Sequence, residues 1–370
     1  MTFTIFSHVN HYTENNAFYA YAPYVREMNI WSEYIDQLSI VAPLEKISID
    51  KIDIAYSHNN VNFYKINNFN ITSGKEIFNT LFQLPKILIT IYRAMKKADH
   101  IHLRCPGNVG LLACFVQILF PNKKKTAKYA GNWDPQSKQP WSYKLQQWIL
   151  SNTFLTKNMQ VLVYGEWENS TKNIKPFFTA TYSEKDKQPI IERNLTQTID
   201  FLFVGTLSEG KRPLYAVQLV EKLIQKGIKA QLTLYGEGKE RTNLEKYIAE
   251  NQLSKYIFLK GNQPKEVVMQ SYQKSHFMIL ASKSEGWPKV VAEAMFWGCV
   301  PLSTRISCVP NMLDNGKRGI LLDLDINQDA DNISKLISYP IQYQEMIENG
   351  VNWSREYTIE KFEEEIKKLL

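Results

Sequence analysis

Ile199-Asp200-Phe201-Leu202-Phe203-Val204-Gly205 is a short β-rich run closed by a glycine, and the chain on either side of it decides the fold. Downstream, strand character returns near residues 229–235, 256–260, 276–281, 300–304 and 319–323, with helical patterns between. Upstream it recurs near 2–7, 37–42, 100–104, 126–131, 159–164 and 177–182, with helices over 21–35, 86–97, 107–120 and 141–157. Apolar strands alternating with helices from end to end are the pattern of parallel α/β layers. Between the two series lies Glu184-Lys185-Asp186-Lys187-Gln188-Pro189, polar and without apolar period, which reads as a linker.

The expected fold class is therefore α/β, with two Rossmann-like doubly wound domains over residues 1–184 and 190–353. A last helix over 354–370 is free to cross back onto the first. A chain of 370 residues is long for one core, which agrees with two. Two such domains in tandem place a ligand in a cleft between them, at the carboxyl ends of the strands.

Composition limits the classes. Hydrophobic residues are 44% and charged residues 22% of the chain, an ordinary globular balance. The amino terminus, Met1-Thr2-Phe3-Thr4-Ile5-Phe6, has no basic segment ahead of an apolar one and reads as a strand rather than a signal peptide. The longest compact apolar run, Leu111 to Phe120, is half of the ~20 residues a membrane span needs, so a buried helix is expected. Cys105, Cys114, Cys299 and Cys308 show neither C-x-x-C pairing nor zinc spacing, as befits reduced, buried thiols in a cytosolic protein.

The charge is uneven. Residues 1–180 carry 19 Lys/Arg against 12 Asp/Glu, and residues 181–370 carry 25 of each, so the whole excess of +7 sits in the first half. Either that half faces something anionic, such as a membrane surface, a pyrophosphate-linked lipid or an acidic glycan, or the excess only solubilises it. No recognition motif accompanies the charge, which argues against nucleic acid.

The stretch that carries chemistry is Ser282-Lys283-Ser284-Glu285-Gly286-Trp287-Pro288-Lys289-Val290-Val291-Ala292-Glu293-Ala294-Met295. A buried strand over 276–281 runs into a polar turn, and a helix follows with Pro288 in its first turn, where a missing N–H costs nothing. Glu285 then lies in the loop and Glu293 about a turn and a half into the helix. Ionised carboxylates are strong acceptors for sugar hydroxyls, and free N–H groups at a helix start suit phosphate. Such a layout grips hydroxyls at both ends of a ligand and a diphosphate in the middle. Two Glu eight apart equally describe a helix-start charge and a solvated one.

The segment resembles the Glu-x7-Glu motif of retaining glycosyltransferases of the GT-B fold, family 4 type (glycosyl transferases group 1). The likeness starts at Phe203-Val204-Gly205-Thr206-Leu207. It passes Leu234-Tyr235-Gly236-Glu237-Gly238, Phe258-Leu259-Lys260-Gly261 and the Glu motif, and ends at Gly298-Cys299-Val300-Pro301 and Gly319-Ile320-Leu321-Leu322. The resemblance implies that Glu285 bonds donor-sugar hydroxyls and Glu293 the ribose, with Gly286, Trp287, Pro288, Lys289 and Val290 lining sugar and phosphates. It implies a basic pair after the first strand of this domain. Lys211, with Arg212 beside it, fits the second member, while Thr206 stands where the family usually has Arg. Either Arg212 or a cation of the first domain compensates. Gly205, Gly236 and Lys260 would face the nucleotide. Lys211 is the expected stabiliser of charge on the departing diphosphate, and no metal or other cofactor is implied. Asp323-Leu324-Asp325 reads as a helix cap rather than a metal site.

In the first half the resemblance is weaker, as expected of an acceptor-binding domain. The polar turn after strand one, Ser7 to Asn16, offers His8, His11 and Asn16 as acceptor contacts. Tyr19, Tyr21 and Tyr24 serve either as stacking platforms or as core. Ile101-His102-Leu103-Arg104-Cys105-Pro106 ends the fourth strand. His102 and Arg104 are acceptor candidates there, and Arg104 stands where many relatives have His, which would bring a cation to the reacting centre. Residues 86–97 mix Ile, Leu and Tyr with Lys86, Arg93, Lys96 and Lys97, a pattern of a membrane-interface helix or of a core helix with a basic face.

The function expected is transfer of a sugar from a nucleotide sugar to a glycan or lipid-linked acceptor in bacterial surface polysaccharide or glycoconjugate synthesis. The expected location is the cytoplasm, with peripheral attachment to the inner membrane face. The alternatives are a GT-B epimerase or hydrolase of nucleotide sugars, and a catalytically silent binding scaffold.

Overall fold

The computed structural model of the protein describes residues 1–45, 53–68 and 74–370. The chain forms two compact units: Met1–Phe177 with Glu363–Leu370, and Phe178–Phe362.

In the first unit the order is β1 (Thr2–Phe6), β2 (His11–Glu14), β3 (Ala17–Tyr21), α1 (Ala22–Ser32), β4 (Gln37–Pro43), β5 (Asp53–Ala55), β6 (Val61–Ile66) and α2 (Gly74–Lys97). There follow β7 (His100–Cys105), α3 (Asn108–Val116), β8 (Lys124–Tyr129), α4 (Trp141–Ser151), β9 (Met159–Tyr164) and β10 (Ile174–Phe177). Seven strands form a parallel sheet in the order β10-β9-β8-β7-β1-β4-β6. The direction of winding reverses at β1, which is where open α/β sheets open a crevice at the carboxyl ends of their strands. Ile101 and Leu103 of β7 are fully buried, as strands covered by helices require.

The second unit contains β11 (Ile199–Val204), α5 (Pro213–Gln225), β12 (Ala230–Tyr235), α6 (Arg241–Glu250), β13 (Ile257–Leu259), α7 (Lys265–Lys274) and β14 (Phe277–Leu280). It continues through α8 (Lys289–Phe296), β15 (Val300–Thr304), α9 (Val309–Met312), β16 (Ile320–Leu322), α10 (Ile326–Ile337), α11 (Pro340–Ser354) and α12 (Ile359–Leu369), the last passing into the first unit at Glu363. The six strands run β13-β12-β11-β14-β15-β16, all parallel, with the reversal at β11. Every residue of β14 is buried.

Several elements differ from the sequence reading. The polar turn after β1 is a β-hairpin, β2 with β3, whose turn residues Asn15 and Asn16 both have positive φ (49° and 63°). Asn tolerates that conformation, and two such residues make a tight hairpin turn. The helix expected over 141–157 stops at Ser151, because the Asn152 side chain accepts from the N–H groups of Phe154 and Leu155 (3.0 and 3.1 Å). Residues 354–370 are not one helix: α11 ends at Ser354, and a new start is capped by the Thr358 hydroxyl accepting from the Lys361 N–H. The strand expected over 177–182 is instead β10, ending at Phe177. The polar 184–189 stretch lies within the second unit as a 3-10 turn, closed by reciprocal bonds between Ser183 and Asp186.

Candidate active site

The loops at the carboxyl ends of β11, β12 and β13 are bonded to one another through their backbones. The Gly205 N–H donates to the Tyr235 carbonyl, Leu207 to Glu237, and Gly236 to Gly261, each at 2.9 Å. Glycine makes this closeness possible. A Cβ on Gly236 would sit 1.9 Å from the Gly205 carbonyl oxygen, and one on Gly238 2.3 Å from that of Leu207. No side chain fits at either position.

Beyond β11 the chain turns tightly, Lys211 and Arg212 both donating their N–H groups to the Ser208 carbonyl. Arg212 adopts a left-handed conformation (φ 49°, ψ 54°) as the residue ahead of α5, and Pro213 opens the helix. This turn directs the Lys211 ammonium onto the Glu285 carboxylate as an ion pair, with 30% and 12% of the two side chains exposed. The Arg212 guanidinium donates to the Ala281 carbonyl at 3.2 Å, and the Lys283 N–H to the Gly210 carbonyl at 2.7 Å. The loops after β11 and β14 are thus joined at the point where the sheet reverses. Thr206 is exposed on the first of them.

The Gly286 carbonyl accepts from the Ser307 hydroxyl (3.0 Å) and the Cys308 thiol (3.3 Å), which fixes the turn behind Glu285. The Trp287 ring packs on Trp353 and Tyr357, with centroids 6.1 and 5.8 Å apart. Pro288 precedes α8 as its capping residue rather than lying in its first turn, and Lys289 and Val290 open the helix. Glu293 accepts from the Thr181 hydroxyl at 2.8 Å and from the Tyr272 hydroxyl at 3.3 Å. Burial, and then the Glu293 charge, raise the Tyr272 pKa, so its hydroxyl stays protonated as the donor. Glu293 and Lys289 line a narrow recess that Glu285 does not enter, so the two carboxylates meet different groups. Lys260 is exposed past β13, its ammonium 5.5 Å from the Phe258 ring centre.

Asp325 is a helix cap: its carboxylate accepts from the N–H groups of Asn327 (2.9 Å) and Gln328 (3.1 Å) at the start of α10. Asp323 faces Arg305. Among the described residues no three His, Cys, Asp or Glu side chains gather as metal ligands.

In the first unit, His8 follows β1 and lies against the turn after β7, where a Cβ on Gly107 would meet its Nδ1 at 2.4 Å. Burial and then Arg104 lower the His8 pKa. Arg104 donates to Glu27 at 2.7 Å and covers the Tyr24 ring at 5.2 Å, with Lys128 3.4 Å from the same carboxylate. The Arg104 side chain is only 11% exposed. His11 and His102, read from sequence as acceptor contacts, are in the core. His11 bonds the Val9 carbonyl and the Tyr56 hydroxyl, both at 2.8 Å, while His102 bonds Thr126 and packs on Trp31. A ring enclosed on all sides is not placed to touch an acceptor. Asn16 is exposed in the hairpin turn, and Tyr24 is buried while Tyr21 is open.

Residues 184–353 match the family model for glycosyl transferases group 1. The likeness covers 170 of the 370 residues, most of the second unit. An uncharacterised glycosyltransferase of Methanocaldococcus jannaschii is 28% identical over 161 residues, which are 43% of this chain and 44% of that one. The match thus spans less than half the length of this relative. The lipopolysaccharide outer core galactosyltransferase WaaB, solved in its apo form, superposes with a TM-score of 0.71 at 15% identity over 100% of this chain and 99% of its own. The HepE protein of Anabaena, solved with UDP and glucose, gives 0.65 at 11% identity over 99% and 98%. These structures establish the GT-B fold of two Rossmann-like domains for this chain.

Sequence reasoning missed the partners of the candidate residues. Glu27 and Lys128, which fix Arg104, come from a helix and a strand distant in sequence; the signal was a pair of lysines, Lys125 and Lys128, inside a central strand of a parallel α/β sheet. Burial opposes the Arg104 charge, but Glu27 together with Tyr164 and Tyr24 outweighs it and holds the pKa up. Thr181 and Tyr272, the donors to Glu293, carried no signal. The four cysteines are free and buried.

Proposed function

We propose that this protein transfers a sugar from a nucleoside-diphosphate sugar to a glycan or lipid-linked acceptor, with retention of anomeric configuration, in bacterial surface polysaccharide or glycoconjugate synthesis. The observation that carries the reading is the Lys211–Glu285 pair at the reversal point of the second sheet, beside loops that only glycine can form. The UDP and glucose held by the Anabaena neighbour support a nucleotide sugar as the donor.

In the reaction the bond between the anomeric carbon and the diphosphate oxygen breaks, and its electron pair stays on the diphosphate. The acceptor hydroxyl oxygen bonds the same carbon and passes its proton to the diphosphate oxygen just released. Lys211 stabilises the departing charge, a kind of contribution worth ~3 kcal/mol in the transition state. Arg212, held at Ala281, adds positive potential where Thr206 brings none. Glu285 holds sugar hydroxyls, and Glu293 takes the ribose in place of its bonds to Thr181 and Tyr272. Trp287, Lys289 and Val290 line the sugar and the phosphates, with Lys260 and Gly236 towards the base. No metal is required, because the chain's own cations meet the charge and Asp323 and Asp325 are engaged by Arg305 and by the α10 cap. His8 and Asn16 are the exposed candidates for the acceptor side.

The test is transfer and binding measured over a panel of nucleotide sugars and glycan acceptors. Glu285→Ala is expected to lower transfer at least ~10-fold while nucleoside diphosphate still binds, since bonds to a charged group contribute roughly 1.5–3 kcal/mol. Glu293→Ala is expected to weaken the nucleotide itself. Normal transfer by both variants would sink the assignment. Donor binding without turnover would point to a scaffold, and hydrolysis without acceptor to a nucleotide-sugar hydrolase.

A further inference from the structure

The connections β6 to β7, β7 to β8 and β8 to β9 all step in one direction across the first sheet. Right-handed crossovers therefore set α2, α3 and α4 side by side on one face, and α2 packs on α3 and α3 on α4. The last turns of these helices and the chain just beyond them lie at the amino ends of the strands. There, large apolar side chains stand in the open: Tyr92, Phe115, Leu119, Trp148 and Phe154 are 41–75% exposed. The Tyr92 and Phe120 rings lie 5.3 Å apart and carry the patch from α2 to the α3–β8 turn.

Charge along this stretch of the chain is mostly of one sign. Between residues 82 and 160 there are twelve Lys or Arg and two acids, Asp99 and Asp134. Both acids are engaged by backbone, Asp99 accepting from the Thr2 N–H at 2.7 Å and Asp134 from the Gln136 N–H at 2.8 Å. At the amino ends of β8, β9 and β10 a cleft of about 700 Å³ is lined by Lys124, Lys125, Lys157 and Lys172, with no Asp or Glu on its walls. Lys125 is spent on the Gln117 and Phe120 carbonyls, and Lys124 donates to the Leu370 carbonyl. Lys157 lies 5.2 Å from the centre of the exposed Phe154 ring, so cation and aromatic adjoin.

We propose that this end of the first unit docks on an anionic bilayer. Phe115, Leu119, Trp148 and Phe154 enter the boundary of headgroups and acyl chains, and the lysines in and around the cleft take lipid phosphates. Lysine is depleted from protein–protein interfaces, whereas lysine interleaved with exposed aromatics suits the surface of a membrane. Among the described residues no helix is long and apolar enough to cross a membrane, so the attachment is peripheral. The proposal stands apart from the sugar-transfer reading and its test needs no substrate.

The full chain is sedimented with vesicles of phosphatidylcholine alone and of phosphatidylcholine mixed with phosphatidylglycerol. Binding to the anionic vesicles only, falling as salt is added, is the expected result. Lys157→Glu and Lys172→Glu are each expected to lower partitioning by about 30-fold, as one side chain changes from positive to negative and the net charge near the surface falls by two units. Phe154→Ser is expected to lower it about tenfold. All three positions are exposed, and unchanged circular dichroism melts confirm that the variants fold. Equal binding to neutral vesicles, binding to neither, or unaltered partitioning of the variants overturns the proposal. So does light scattering in which Phe154→Ser turns a dimer into a monomer, since a second copy would then be what covers the patch.

Discussion

At the reversal point of the second sheet, backbone meets backbone: Gly236 and Gly238 let three loops bond directly, and the side chains left over, Lys211 and Glu285, pair at the surface. At the matching point of the first sheet, side chains fill the space. Arg104, Lys128 and Glu27 lock together under Tyr24, and the His11 and His102 rings are sealed in. Both sheets wind outward from a central strand, so topology assigns the same location to a site in each. What differs is residue type in the loops. Close-packed glycine turns spend their N–H groups on neighbouring carbonyls and leave the Lys211–Glu285 pair to face outward. A charged cluster kept from water instead makes a rigid wall whose charges are directed at each other.

The comparison can be broken at the buried cluster. Glu27→Ala leaves Arg104 and Lys128 without the carboxylate they share, and the expected cost is about 3–5 kcal/mol in the first unit. Chemical denaturation measures it, and a loss under ~1 kcal/mol would show that the cluster is wetter than its burial indicates.

A smaller effect sharpens the contrast through pH. Burial lowers the His11 pKa to about 4 and that of His100 to about 3, against an unfolded value near 6.5. Both are neutral in the folded protein, so their stability is complete above about pH 6.5 and is lost as the pH falls, until the folded ring also takes a proton. For His11 the window runs from about 6.5 down to about 4 and is worth about 3 kcal/mol. The second unit holds one of the six histidines, His276, and is expected to lose less. Hydrogen exchange followed from neutral to mildly acid pH should show first-unit strands opening ahead of second-unit strands; equal loss in both would refute the assignment.

The smallest effect lies at the α10 cap. Asp325→Ala is expected to cost about 1 kcal/mol, since two N–H groups lose their acceptor. A thermal melt with and without added divalent cation checks it. A parent midpoint that rises with the cation and a variant that does not respond would make this a metal site after all.

The sequence alone was enough for the alternation of strands and helices, for two parallel sheets, and for the loop positions of Gly205, Gly236, Lys211 and Glu285. Those follow from local physics: apolar period, turn chemistry and helix-start residues act within a few positions of one another. It was also enough to locate the charge excess in the first half. It did not reveal the Asn15–Asn16 hairpin, where the turn signal was read as a polar loop, nor the break between α11 and α12, which depends on where the Thr358 hydroxyl finds its partner.

Tertiary structure decided which candidates face solvent and which face each other. His8 and His11 stand three residues apart in one polar run, yet the first is open beside Arg104 and the second is enclosed between Val9 and Tyr56. Glu285 and Glu293 share a motif but meet Lys211 in one case and Thr181 and Tyr272 in the other. Such partners come from loops and helices up to 112 residues away. Their approach is set by how layers pack and not by any local preference, and so it becomes visible only once the chain is folded.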